Sequence, residues 1–154
     1  MKVTKTNAGD SVVVFLVGTI DENDDFKALI GSGGKTLTVN CKGVTRINSM
    51  GVKNWLKFFL SFAGSNTKIL FVEVPPVLIE QFNMIQNFRC GGEIVSVVAP
   101  FHCESCKAHF NRTLITADLI QAKFVVASAK CEKCAASAEF DDDGEEYFAF
   151  LKKT

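Results

Sequence analysis

The chain has no surplus of charge of either sign. Its 17 Lys and Arg are matched by 17 Asp and Glu, and the sequence pI is about 6.7. No global basic field therefore advertises nucleic acid as a partner. Long apolar runs are also missing. Nothing approaches the ~18 residues of a membrane helix, and the one early apolar stretch, residues 12–17, follows Asp10 and is too short for the apolar centre of a signal peptide. The expectation is a cytoplasmic protein with no membrane segment.

Cofactor loops and catalytic pairings are scarce too. G-S-G-G-K-T at residues 31–36 has the glycines of a phosphate loop without its frame: the Gly required six residues before Lys35 is Leu29, and the loop precedes a strand rather than a helix. The acidic run at residues 21–25 lacks the ligand spacing of an EF-hand. P-F-H-C at residues 100–103 lacks the His-x-Glu and Pro-Cys adjacency of a nucleobase deaminase. With no nucleophile set beside a base and no plausible acid pair, the chain is not expected to be an enzyme.

What is present suits a packed globular protein: hydrophobic residues make up 47% of the chain, and there are 14 Phe. Its 154 residues allow one domain of about 100 residues with a small appendage. The organising stretch is residues 37–63, a buried strand, a tight turn and a helix. Val52, Trp55, Leu56, Phe59, Leu60 and Ala63 recur at helical spacing and give one apolar face, with Phe58 and Phe62 toward its side. Ser49 stands where the helix begins, as its N-cap, and Gly64 where it ends. Around this unit the pattern predicts strands at residues 3–5, 11–17, 68–74 and 93–98, a short helix closing at Ile30, and a helix opened by Pro75 and Pro76 and ended by Gly91-Gly92. Residues 11–17 are apolar on both faces, as in a strand of a sheet covered on both sides. Leu78, Phe82, Ile85 and Met84 or Phe88 supply the apolar face of the Pro-initiated helix. Isolated Cys41 and Cys90 are read as buried small hydrophobes.

G-T-I-D at residues 18–21, a buried strand, and then R-I-N-S-M-G at residues 46–51 resemble the STAS domain, the fold of bacterial anti-sigma factor antagonists. The resemblance covers residues 1–98. It implies a mixed β-sheet with helices packed on it. In that family the turn usually reads Asp-Ser-Ser/Thr-Gly, and the first Ser is phosphorylated by a partner kinase. Ser49 matches that position, while Asn48 and Met50 depart from the pattern, and Asn40 replaces a frequent acidic residue. By this resemblance Asp21, Asn48, Ser49, Met50, Gly51, Lys53 and Lys57 form a partner-docking surface, with Ser49 as a phosphorylation site.

Composition changes at Ala99-Pro100. Cys103-x-x-Cys106, 24 residues, and Cys131-x-x-Cys134 provide four soft ligands in two knuckles. Duplicated pairs of this kind argue for tetrahedral zinc, with a redox dithiol as the alternative. Four thiolates leave no position for a catalytic water. Residues 99–154 thus resemble a β-rich zinc ribbon, with strands expected at residues 110–115, 124–127 and 147–151. Lys107 and Ala135 follow the knuckles, where Gly is common; His102 and His109 lie close to the first knuckle, and an ordinary surface or packing role is the favoured reading, with His102 as a substitute ligand the alternative. The expected fold class is therefore α/β, a STAS-like domain over residues 1–98 and a zinc-ribbon-like domain over 99–154.

The functional expectation is a non-enzymatic regulatory module that docks an anti-sigma-like, kinase-like or signalling-complex protein. The alternative is a transcription-related protein that binds nucleic acid through the ribbon. Six acidic residues in the eight from Glu139 to Glu146 count against that alternative.

Overall fold

The structure is a computed structural model that describes residues 1–152. Its first five strands are β1 (Lys2–Ala8), β2 (Ser11–Ile20), β3 (Thr36–Ile47), β4 (Lys68–Val72) and β5 (Glu93–Ile94). They form one sheet in that spatial order, β1 antiparallel to β2 and the rest parallel. The parallel strands are joined by α1 (Phe26–Ile30), α2 (Ser49–Leu60) and α3 (Pro76–Met84). Strands added successively in one direction with right-handed crossovers place these three helices on the same face. The chain is α/β.

Burial follows that geometry. Val12, Val14 and Leu16 of β2, Leu37, Val39 and Cys41 of β3, and Ile69 and Phe71 of β4 are buried beneath the helices. On the opposite face Phe15 is 42% and Val17 50% exposed, so β2 is covered on one side only, contrary to the two-sided expectation. Its apolar outer residues reflect the strand preference of β-branched and aromatic side chains and are not a sign of a second covering layer.

The core centres on α2. Trp55 stacks on Phe88 at 5.1 Å and on Phe71 at 5.3 Å, and its Nε1 donates to the Phe88 carbonyl at 3.0 Å. Phe58 is also buried, stacked on Phe26 of α1 at 5.7 Å, and Phe62 packs edge-on against it. Of the two rings expected at the side of the helix, Phe58 is thus covered by α1, and Phe62, half-buried, rests on Phe58. Leu60 is conversely 41% exposed. The helix stops at Leu60 with Ser61 as its C-cap, so Gly64 (φ 78°) serves the following turn instead. Likewise α3 ends at Met84, well before Gly91-Gly92, and Met84 points outward at 71% exposure while Phe88 enters the core.

The segment expected as one strand over residues 93–98 divides. β5 completes the first sheet, and β6 (Ser96–His102) opens a second, ordered β7-β6-β9-β8, with β7 (His109–Ile115), β8 (Ala129–Lys130) and β9 (Ser137–Phe140). Val74 ties the sheets: its N–H donates to the Ser96 carbonyl at 3.1 Å, and its carbonyl accepts from Val98 N–H at 2.8 Å. The composition break at Ala99-Pro100 lies within β6.

Two of the three strands expected in the C-terminal part are absent. Residues 124–127 form no regular element, and residues 147–151 run from the end of α5 (Gly144–Tyr147) through a turn at Phe148 into α6 (Ala149–Lys152), helices that follow α4 (Thr116–Gln121) and β9. Asp143 caps α5, its Oδ1 accepting from Glu146 N–H at 3.0 Å. These helices return to the first layer. Phe150 packs against Phe82, its carbonyl accepts from Arg89 at 2.8 Å, and its N–H donates to Asn83 Oδ1 at 2.8 Å.

Candidate metal centre

Two hairpin-like turns bring the four knuckle cysteines together. In each, the first Cys pairs its backbone with the residue five positions on: Cys103 N–H to the Ala108 carbonyl at 2.9 Å, and Cys131 N–H to the Ala136 carbonyl at 2.7 Å. Lys107 (φ 60°) and Ala135 (φ 63°) close the knuckles in the left-handed region. These are the positions where glycine was missed in the sequence, and the backbone there is strained as a result.

The sulfurs of Cys103, Cys106, Cys131 and Cys134 all lie within 4.8 Å of one another. Cys103 and Cys134 are 3.5 Å apart, and Cys106 and Cys131 are 3.7 Å apart. Four thiolates at about 2.3 Å from one tetrahedral centre would stand about 3.8 Å apart. The donor set and its spacing fit a tetrahedral soft-ligand ion, and all four cysteines are free rather than disulfide-bonded.

The electrostatics within the cluster are uneven. Backbone N–H groups of Cys134 and Lys133 hold the Cys131 thiol down at about 6. Cys106 goes the other way: the Ala108 N–H favours its thiolate, but desolvation and the three neighbouring sulfurs outweigh it and push the thiol up to about 11. Four sulfurs this close cannot all ionise near neutrality without a cation among them. The apolar packing beneath is slight, since only Cys103, Cys131 and Ala138 are buried in that local cluster.

His102 is not in the cysteine group. Its Nε2 faces Glu104 Oε1 at 3.3 Å instead. Cys41 and Cys90 are buried and separate; burial pushes both thiols up, Cys90 to about 11.

The residues singled out around Ser49 share one corner. Asn48, not Ser49, is the N-cap of α2: its Oδ1 accepts from Gly51 N–H at 2.8 Å, while its Nδ2 donates to Glu22 Oε2 at 2.9 Å. Asn and Ser are equally good caps, so two adjacent candidates were not separable by type. Gly51 decides between them. A Cβ there would collide with the Ile20 carbonyl, so the first turn lies directly on the end of β2. Asp21 uses Oδ1 to accept from Asn23 N–H at 2.9 Å, and its carbonyl accepts from Asn54. Ser49, Met50, Lys53 and Lys57 are exposed, and neither lysine has an ion-pair partner within 4.0 Å among the described residues.

The junction at Glu73 was not legible beforehand. Its carboxylate accepts from Asn40 Nδ2 at 2.8 Å and Thr113 Oγ1 at 3.1 Å, and pairs with Lys42 at 3.2 Å, so one side chain holds β3 to β7. Only the positive φ of 50° at Glu73 marks it locally, and no sequence pattern announces that conformation in a Glu.

No protein-family model matches the chain, and no curated protein matches it significantly. Among the described residues no helix is long and apolar enough to cross a membrane.

Proposed function

We propose that the protein is a non-enzymatic, protein-docking regulatory module of the STAS type whose C-terminal part is stabilised by structural zinc. The observation that carries the zinc reading is the convergence of four sulfurs at tetrahedral spacing over a very small apolar cluster. In small zinc-finger peptides such a site contributes an apparent ~10–16 kcal/mol to folding, which offsets a core this slight. Zinc suits four thiolates better than the other common cytoplasmic ions do.

The docking reading rests on the corner of α2. A buried helix root, an exposed apolar side chain at Met50 (47%), and two lysines without ion-pair partners among the described residues favour a partner surface carrying carboxylates beside an apolar contact. A phosphate on exposed Ser49 would add roughly 1.5 to 2 negative charges in the first turn of α2. Lys53, one turn on, would pair with it, and Glu22, held by Asn48, would be repelled. Docking of an acidic partner would then weaken.

The test is capture from native cytoplasm followed by binding measurements on the captured protein with Ser49→Asp and the double variant Lys53→Glu, Lys57→Glu. Loss of affinity in both supports the reading. Full affinity in Ser49→Asp removes the switch, and full affinity in the lysine variant moves the docking face elsewhere. Submicromolar binding to duplex DNA at physiological salt would favour nucleic-acid recognition through the ribbon instead.

A further inference from the structure

The chain has two histidines, and the fold sets them face to face. His102 on β6 and His109 on β7 are register partners. The adjacent pair, Cys103 and Ala108, is hydrogen-bonded, so 102 and 109 form a non-hydrogen-bonded pair, the kind whose side chains stand closer. Their ring centres are 4.5 Å apart.

Each ring turns one nitrogen toward a carboxylate. His102 Nε2 is 3.3 Å from Glu104 Oε1, and His109 Nδ1 is 3.7 Å from Asp141 Oδ2. The second nitrogen of His102, Nδ1, is buried and has no hydrogen-bond partner among the described residues. Glu139, paired with His102 on β9, adds another carboxylate to the same face of the sheet. An imidazole with one N–H held by a carboxylate and a free lone pair on its other nitrogen is the arrangement in which proteins present histidine to a metal. The separation agrees: with nitrogen about 2.0–2.1 Å from an ion, two bound imidazoles have centres about 4.5–5.2 Å apart.

We propose that His102 Nδ1 and His109 Nε2 bind a divalent transition-metal ion between the two rings, apart from the cysteine cluster. Glu104 orients the His102 ring, Asp141 lies beside His109, and water fills the remaining positions. Imidazole donors admit zinc, nickel or copper. Because copper(II) also attacks thiolates, zinc is the probe of choice.

The experiment titrates full-length protein, already carrying one equivalent of zinc, with further zinc, followed by calorimetry and by imidazole nitrogen NMR. The expected result is a second bound equivalent that shifts the His102 Nδ1 and His109 Nε2 resonances. His109→Ala, at a side chain 68% exposed, should weaken that second equivalent at least about tenfold and leave the first in place, and Glu104→Gln should cost about tenfold. Absence of a second equivalent overturns the proposal. So does one that His109→Ala leaves unchanged, which is an adventitious ion only. If the cysteines hold no zinc but histidine-dependent binding remains, this site stands and the zinc-ribbon reading falls.

Discussion

Asn48 carries the cap of α2, and Ser49 stands one residue inside the helix with its side chain exposed. Asn48→Ala should therefore lower stability by about 1 kcal/mol, and Ser49→Ala should change it by less than about 0.5 kcal/mol, both read from urea denaturation midpoints. An equal loss in Ser49→Ala would return the cap to that residue. At the knuckles, Lys107 and Ala135 hold left-handed backbone that glycine adopts without penalty. Ala135→Gly should thus raise the melting temperature, with a gain of about 1 kcal/mol, in contrast to the usual cost of introducing glycine. The sequence shows the missing glycines and the four ligands, because knuckle spacing is local. It does not show the partners of Glu73, whose contacts span residues 40 to 113.

At the scale of elements, the helices of the first layer follow their apolar periodicity, and the errors sit where tertiary packing overrides local pattern. Residues 147–151, Y-F-A-F-L, read as a β-prone aromatic run, yet they form the end of α5, a turn at Phe148 and the start of α6, with Phe148 and Phe150 both buried. The signal that points to helix is Asp143 followed three residues later by Glu146, a cap with acidic residues in its first turn. Phe150→Ala should remove about 3–5 kcal/mol and be felt in the first layer, since Phe150 lies on Phe82 of α3. Hydrogen exchange would show this as faster exchange in α3. The Glu73 junction gives the sheets a pH dependence. The bond from Asn40, supported by Lys42 and Thr113 and opposed by partial burial, holds its carboxyl below the usual carboxylate range. A depressed folded-state value means the stabilisation is present above the unfolded value of about 4.3 and is lost as pH falls through the folded one. Glu73→Gln should accordingly flatten the acid limb of stability against pH below about 4.3. An unchanged limb would show that the junction contributes nothing.

For the whole molecule, the bridge from Val74 to β6 and the packing of Phe82 on Phe150 tie the second sheet and the C-terminal helices to the first layer, so the C-terminal part is not a loose appendage. Its own apolar cluster is small, and four thiols meet there within 4.8 Å of one another. Metal content of gently purified protein tests this account most directly. It predicts one zinc per chain, and it predicts that chelation abolishes the ordered second sheet. Zinc near zero, with four free thiols and that sheet still folded, would contradict it.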